Sequence, residues 1–152
     1  MNKKTNISVI MPVYNPKPEQ LERAIRSVLE QDMNDFEFII CDDCSEDYVK
    51  ALVESFPDPR IKYLRNEKNM GCAYSLNRCI EAATGELLIR QDADDYSLPG
   101  RFSALVKGYN DTKADIIATN IILFDENGEW IEILLDDNSV GYVFHEYVTV
   151  ND

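Results

Sequence analysis

The stretch LLIRQDADDYSLPGRF, Leu87 to Phe102, places Asp92, Asp94 and Asp95 within four positions, directly after an apolar run that reads as a buried β-strand. A hard divalent cation wants carboxylate oxygens in a fixed geometry. A tight loop at a strand end can present two of them while water and a substrate phosphate complete the shell. As a motif, Asp92-Ala93-Asp94 is weak, because 15 aspartates in 152 residues yield about 1.5 such pairs by chance. Its place at the end of a strand gives it meaning. An EF-hand reading fails, since Ser97 stands at the glycine position and Ser103 at the bidentate glutamate position. The chemistry that fits is phosphate handling through a metal. A diphosphate beside these aspartates meets a repulsion of about 4 kcal/mol per charge pair at roughly 4 Å and an effective dielectric of about 20. Bound Mg²⁺ or Mn²⁺ inverts that sign.

The elements that must hold this loop follow from hydrophobic periodicity. Ile7 to Val13 reads as a buried strand, and Leu21, Ala24, Ile25, Val28 and Leu29 form the apolar stripe of a helix that Pro18 and Glu19 open. FEFIICDD is a second strand, followed by a helix carrying Val49, Leu52, Val53 and Phe56. RIKYLR is a third strand. The run from Gly71 to Thr84 predicts a helix with Ala73, Leu76, Ile80 and Ala83 inward and Gly85 as its C-terminal cap. ELLIRQ is the fourth strand, and Pro99 opens a helix with Phe102, Leu105, Val106 and Tyr109 on one face. DIIATNIILF and EWIEILL flank DENG as a predicted hairpin. This alternation predicts an α/β fold, a mostly parallel central sheet with helices on both faces. Ligands of such sheets bind beyond the carboxyl ends of the strands, where the strand order switches. The polar clusters YN, DDCSED, NEKNMG and DADDYS all follow strands, so four loops are expected to face one crevice.

Composition narrows the function classes. With 45% apolar and 28% charged residues in 152, the chain is an ordinary globular one that can bury roughly 70% of its unfolded surface. A net charge of −13 and the lack of a basic stripe argue against nucleic acid as a partner. Neither a signal peptide nor a membrane span is read from the sequence, and a cytoplasmic protein is expected. The only histidine, His145, lies outside the strand-end crevice and reads as a surface residue, which removes Ser-His-Asp chemistry. No phosphate-binding glycine loop follows the first strand. Cys41, Cys44, Cys72 and Cys79 do not have zinc-site spacing, and the Asp42 and Asp43 between the first two disfavour a redox pair, so they read as packing thiols.

VIMPVYN, FIICDDCSED and NMGCAYSLNRCIEAATGELLIRQDADDYSLPGRF resemble the successive motifs of family 2 glycosyltransferases, inverting nucleotide-sugar enzymes with a GT-A (nucleotide-diphospho-sugar transferase) fold. The likeness covers roughly Ile7 to Phe124. It implies that Pro12 and Tyr14 border the nucleobase, that Asp43 accepts from a base N–H, and that Asp92 and Asp94 serve ribose and metal. Asp42 would support Asp43 or contact the base. Asn69 and Gly71 would lie near the nucleotide, and Asn77 would tie the third helix to the site. Rival readings stay beside these: Tyr14 as rim packing, Asp43 as a cap of the following helix, Asp95 as a loop-ordering residue, Asn15 as a turn former. Arg101 is expected to hold the aspartate loop by a salt bridge. The implied reaction moves a sugar from a nucleotide donor, a UDP-sugar by preference, to a saccharide or lipid-linked acceptor. The alternative is a catalytically silent nucleotide-sugar-binding module. Residues 1–135 are expected to form the donor-binding domain and 136–152 the start of an acceptor-side segment, with no catalytic base recognisable at Asp136, Asp137 or Glu146. The apolar VGYVFHEYV run is expected to pair with a second copy or fray, and the longer enzyme to associate peripherally with membrane.

Overall fold

In a computed structural model of the chain, residues 6–119 are described, together with the backbone of two short strands at 132–134 and 140–142. In order, β1 (Ile7–Val13), α1 (Pro18–Leu29), β2 (Phe36–Asp42), α2 (Asp47–Glu54), β3 (Ile61–Arg65), α3 (Cys72–Ala82), β4 (Leu87–Arg90) and α4 (Arg101–Thr112) alternate as their periodicity dictates. The strands pair in parallel in the order β3-β2-β1-β4. Chain direction across the sheet therefore reverses at β1, with β2 and β3 on one side and β4 on the other. The expected switch point lies there, above the carboxyl ends of β1 and β4.

Side-chain alternation along β1 and β2 divides the core between two faces. Ile7, Val9, Met11 and Val13 of β1, with Phe36, Phe38 and Ile40 of β2, meet Leu21, Ala24, Ile25 and Val28 of α1, Val49 and Val53 of α2, and Phe102 and Leu105 of α4. Burying each large aliphatic or aromatic chain here contributes about 1.5–3 kcal/mol. The opposite face is thinner: Ile10, Ile39 and Cys41 lie under Cys79 of α3, with Leu64 and Leu76 beside them.

Pro12 looks out of place in a central strand, since proline cannot donate to a ladder. The register resolves this. β4 pairs with β1 only as far as Ile10 opposite Arg90, and the last bond on that side runs from the Gln91 N–H to the Ile10 carbonyl at 3.0 Å. Pro12 faces the same side one alternation later, where β4 has ended. The missing N–H falls where the sheet opens.

Three sequence expectations change. The inward face of α3 carries Ser75 and Cys79, with Leu76 and Ala83 partly buried, while Ala73 is exposed and Ile80 is 46% exposed. Polar contacts turn the helix: Ser75 and Arg78 bond Asn66, and the Cys79 thiol donates to the Ile39 carbonyl. Gly85 does not cap α3, whose last flanking residue, Ala83, is extended. A Cβ at Gly85 would sit 2.6 Å from the Ser8 nitrogen and 2.7 Å from the Ile7 carbonyl carbon, so glycine is required for close approach to β1. The predicted strand from Asp115 is absent over 115–119, where Ile116 is 89% exposed, while Glu132–Leu134 of the second predicted arm is a strand, β5, that pairs antiparallel with β6 (Val140–Tyr142). The remainder of that hairpin, Asp136, Asp137, His145 and Glu146 lie outside the described residues. By contact density the chain divides into Met1–Ile117 and Ala118–Asp152. No described helix is long and apolar enough to cross a membrane.

Cys41 and Cys79 are buried packing thiols as expected, whereas Cys44 is half-buried and Cys72 is exposed; none of the four is in a disulfide. Among the described residues no group of three or more His, Cys, Asp or Glu side chains converges as a metal cluster.

Glu37 locks the thin face. Its carboxylate accepts from Ser8 Oγ at 2.5 Å, from the Thr84 N–H at 2.6 Å and Thr84 Oγ1 at 2.9 Å, and from Lys62. Burial works to raise its pKa, but the bonds from Lys62, Ser8 and Thr84 outweigh it and bring the carboxyl from 4.5 down to about 2. Because the folded value is depressed, this contribution is complete above the unfolded pKa and drains away as pH falls from about 4.5 towards 2. Its ceiling is about 3 kcal/mol, reduced by solvent screening at the half-exposed Lys62. Urea melts at pH 5 and pH 3 should show Glu37→Gln less stable than the parent at pH 5, with the gap closing at pH 3. An equal gap at both pH values would contradict this.

Candidate functional site

The loop after β1 is joined to the loop after β2. Asn15 has a positive φ of 44° and Cys44 one of 63°, tight left-handed bends of the kind asparagine tolerates well. The Asn15 N–H donates to Ser45 Oγ at 3.0 Å, and Asn15 Oδ1 accepts from the Glu46 N–H at 2.8 Å. Asn15 is thus the turn former expected, and a strut between loops. Tyr14 beside it is 55% exposed, an aromatic face at the carboxyl edge of the sheet, and Pro12 is half-buried below.

Asp42 and Asp43 are neighbours that point to opposite faces. Asp42 is buried on the α1 and α2 side, where Oδ2 accepts from Tyr63 Oη at 2.5 Å and Arg65 Nη1 at 2.8 Å, and Oδ1 accepts from the Ser45 N–H at 2.8 Å. Such a carboxylate orders the loop and has little left for a ligand. The Tyr63 hydroxyl is pushed up to about 12, by burial first and then by its bond to Asp42.

Asp43, 3% exposed, faces α3. Its Oδ1 accepts from Asn66 Nδ2 at 2.6 Å and the Met70 N–H at 2.8 Å, and Oδ2 accepts from the Gly71 N–H at 2.7 Å. Burial works to raise its pKa, but the Met70, Asn66, Gly71 and Ser75 bonds outweigh it and hold the carboxyl below the usual range. Asp43 therefore clasps the loop that opens α3, not the helix that follows it in sequence. The start of a helix also favours negative charge. Gly71 has φ +89° and open space within 4 Å of where a Cβ would stand, so it is backbone conformation and not crowding that calls for glycine. Asn69 is exposed on the same loop. Asn77 is exposed too and does not make the predicted tie; Ser75 and Arg78, both missed by sequence reasoning, do so through Asn66.

The aspartate loop is pinned at its centre. Ala93 is buried against the main core, which leaves Asp92 half-buried and Asp94 exposed on either side of it. Arg90 pairs with Asp92 at 2.9 Å. Arg101 holds the loop as expected but by another means: it donates to Gln91 Oε1 at 3.3 Å, Ser97 Oγ at 2.9 Å and the Arg90 carbonyl at 3.0 Å, and its described contacts include no salt bridge. Gln31, a third residue missed from sequence, donates to the Ser97 and Leu98 carbonyls at 3.3 and 3.0 Å and accepts from the Phe102 N–H at 3.2 Å, tying α1 to α4 through this loop. Partial burial, then the charges of Asp94 and Asp92, raise the Asp95 carboxyl. A separate cavity of about 500 Å³ between α1 and the segment after the loop is lined by Glu22, Arg23, Arg26 and Tyr96, among others. Its arginines are engaged, Arg26 with Glu22 and Arg23 over the Tyr96 ring.

All four polar loops thus stand at the carboxyl ends of parallel strands, and the family model described as Glycosyl transferase family 2 matches residues 8–146. The chain belongs to glycosyl transferase family 2. Similar proteins include EpsE of Bacillus subtilis, 36% identical over 132 residues, covering 84% of this chain and 47% of the relative. The GalNAc(5)-diNAcBac-PP-undecaprenol beta-1,3-glucosyltransferase of Campylobacter jejuni is 35% identical over 119 residues, 76% of this chain and 38% of the relative. The chain spans about half the length, or less, of these curated relatives. Among solved structures, the mannosyltransferase PcManGT from Pyrobaculum calidifontis in complex with GDP-Man and Mn²⁺ superimposes with a TM-score of 0.66 at 27% identity, covering 73% of this chain and 34% of that one. S. aureus TarS in complex with UDP-GlcNAc gives 0.67 at 26%, covering 79% and 34%. The fold is the expected GT-A fold, and membership of a transferase family does not favour a catalytically silent module.

The residues of this family 2 chain fit a divalent cation of the kind expected. Asp94 is an exposed carboxylate on a pinned loop, two positions from Asp92, a donor set of the kind Mg²⁺ or Mn²⁺ takes when one or two carboxylates and substrate phosphates hold it. Asp92 would have to share its carboxylate with Arg90.

Proposed function

We propose that this chain is the donor-binding half of a glycosyltransferase that moves a sugar, with inversion, from a UDP-sugar to a saccharide or lipid-linked acceptor. The observation that carries the choice of donor is the state of Asp43. Asn66, Met70 and Gly71 take three of its roughly four lone-pair positions at 2.6 to 2.8 Å, with Ser75 also close by, so at most one position is left, on Oδ2. A single acceptor position suits the single N–H of uracil, flanked by carbonyls. The adjacent pair of donors on guanine asks for two. The exposed ring of Tyr14 offers a face for the base to pack against, with half-buried Pro12 two residues earlier and Asn69 and Gly71 on the loop that Asp43 clasps. Solved relatives carry GDP-Man in one case and UDP-GlcNAc in the other, so the Asp43 argument is what separates them. The Escherichia coli relative WfgD, 38% identical over 89 residues and 59% of this chain, is named for UDP-Glc and a diphosphoundecaprenol acceptor, which supports both the donor and a lipid-linked acceptor. Work in the cytoplasm, with peripheral association to the membrane that carries such an acceptor, belongs to the same proposal.

In this reading Asp94, with Asp92, holds Mg²⁺ or Mn²⁺, which when bound supplies charge compensation for the diphosphate and Lewis-acid help for its departure. In the same reading Asp43 fixes the base, and Asp92 serves the ribose as well as the metal. Inversion is a direct displacement: the acceptor oxygen bonds to the anomeric carbon as the bond to the diphosphate oxygen breaks, and a base takes the hydroxyl proton. No described side chain is assigned that base, which is expected from residues beyond the donor half.

Calorimetric titration with Mn²⁺ should rank UDP above GDP and ADP, and the 152 residues incubated with UDP-sugars and saccharide or lipid-linked acceptors should bind donor without acceptor-dependent UDP release. GDP outcompeting UDP would overturn the donor; robust transfer would place the base within this chain.

A further inference from the structure

Asn66 is buried beside Asp43 and is the most connected polar side chain around it. The Arg78 guanidinium, which carries only donors, bonds Asn66 Oδ1 at 2.5 Å and the Arg65 carbonyl at 2.9 Å. The Cys41 thiol approaches the same Oδ1 at 3.7 Å. With its carbonyl committed to Arg78, the amide must turn Nδ2 the other way, and it donates to Asp43 Oδ1 at 2.6 Å and to Ser75 Oγ at 2.9 Å. The Asn66 N–H is anchored on the Asp42 carbonyl at 2.8 Å, so the group cannot drift along the strand end.

We infer that Asn66, oriented by Arg78, is the positioning residue that sets base selectivity, because it fixes the rotation of the Asp43 carboxylate. This rests on the reading of Asp43 as the base acceptor. Asn66 Nδ2 and the Met70 N–H together grip Oδ1, so Oδ2, which accepts only the Gly71 N–H at close range, is the oxygen with acceptor capacity to spare. Without the Asn66 bond the carboxylate keeps the Met70 and Gly71 N–H groups and Ser75 but loses its shortest donor, and it turns about its terminal torsion, which is broad for aspartate. The acceptor then no longer meets one N–H in one direction. Asn66 and Arg78 lie in stretches the sequence does mark, but nothing there says that the two side chains meet; only the hydrogen-bond path from α3 through the end of β3 to the end of β2 shows it.

The test is a ratio of affinities. UDP and ADP are titrated with Mn²⁺ present into the full 152-residue chain and into Asn66→Ala, Arg78→Met, Arg78→Lys and Asp43→Asn. Asn66→Ala and Arg78→Met should each lower UDP affinity by about tenfold, the weight of one hydrogen bond to a charged group, while ADP affinity stays put. Arg78→Lys, which keeps a charged donor for the Asn66 carbonyl, should recover part of the UDP preference. A purely structural role for Asn66 and Arg78 would lower UDP and ADP together and would overturn the inference. If Asn66→Ala does not fold, the Arg78 pair decides: a parental UDP-to-ADP ratio in Arg78→Met overturns it. Should Asp43→Asn collapse the ratio while Asn66→Ala and Arg78→Met keep it, the relay is wrong and the base reading stands. If Asp43→Asn itself keeps the parental ratio, the base reading fails, and the inference with it.

Discussion

With Mn²⁺ present, UDP at 100 times its dissociation constant is expected to stabilise this chain by about 2.7 kcal/mol, to do nothing in EDTA, and to lose its metal-dependent effect entirely in Asp94→Asn. Position decides which aspartate carries the effect. Ala93 is driven into the main core and pins the loop, Asp92 is paired with Arg90 at 2.9 Å, and Asp94 stands exposed outside that pair. An exposed loop carboxylate contributes little to packing, so Asp94→Asn should leave stability without ligand within about 0.5 kcal/mol of the parent. Asp92→Asn should weaken the metal effect and also release Arg90, whose exposed pair is worth less than about 1 kcal/mol. Thermal melts with Mn²⁺, with EDTA, and with each variant separate these terms. Equal stabilisation by UDP in EDTA would remove the metal from the account.

Asp43→Ala should be the most damaging single truncation at the site. It strands the Met70 N–H, the Gly71 N–H and Asn66 Nδ2, each bonded to the carboxylate at 2.6 to 2.8 Å. A buried donor left without a partner costs about 1–3 kcal/mol, and here three are left at once, so a loss of about 3–5 kcal/mol is expected after partial rehydration of the loop. That is a large part of the stability of an ordinary domain. UDP binding should vanish with it. Asp43→Asn, which keeps the volume and one acceptor oxygen, should cost less. The pH dependence has a definite sign. The folded-state carboxyl is held below its ordinary value despite burial, so its contribution is present above the unfolded pKa of about 3.9 and is lost as pH falls through the folded value. Urea melts from pH 6 to pH 3 should therefore show a shallower acid limb in Asp43→Asn than in the parent. A loss below about 1 kcal/mol in Asp43→Ala would mean that the donors find other partners and that the clasp is not structural.

Much of this site is legible in the residue order because it follows from local rules. Runs such as FEFIICD and ISVIMPV can only be buried strands, PEQLERAIRSVL carries its apolar stripe at helical spacing, and their alternation forces parallel pairing. Parallel pairing puts every strand's carboxyl end on one edge, so the polar clusters after β1, β2, β3 and β4 had to share a crevice. The family motifs bring the same residues together.

What local patterns do not contain is the identity of partners far away in the chain. That Asp42 and Asp43 point to opposite faces is implied by strand geometry, but which face carries α3 depends on packing, and this decides that Asp42 is consumed by Tyr63 and Arg65 while Asp43 clasps the Gly71 loop. The inward face of α3 escapes a hydrophobicity count because polar bonds from Ser75 and Arg78 to Asn66, and not its apolar residues alone, set the rotation of the helix. The place of Gly85 after a helix suggests a cap, whereas the reason for it is the backbone of β1 lying 2.6 Å from where a Cβ would go. Gln31 reaches Ser97, Leu98 and Phe102 across more than sixty positions, and nothing in its neighbourhood announces that. Periodicity records how much of a side chain is hidden from water, which a short window can carry. Hydrogen-bond pairing is decided by which donors and acceptors folding brings within about 3 Å of one another, and only the tertiary structure determines that.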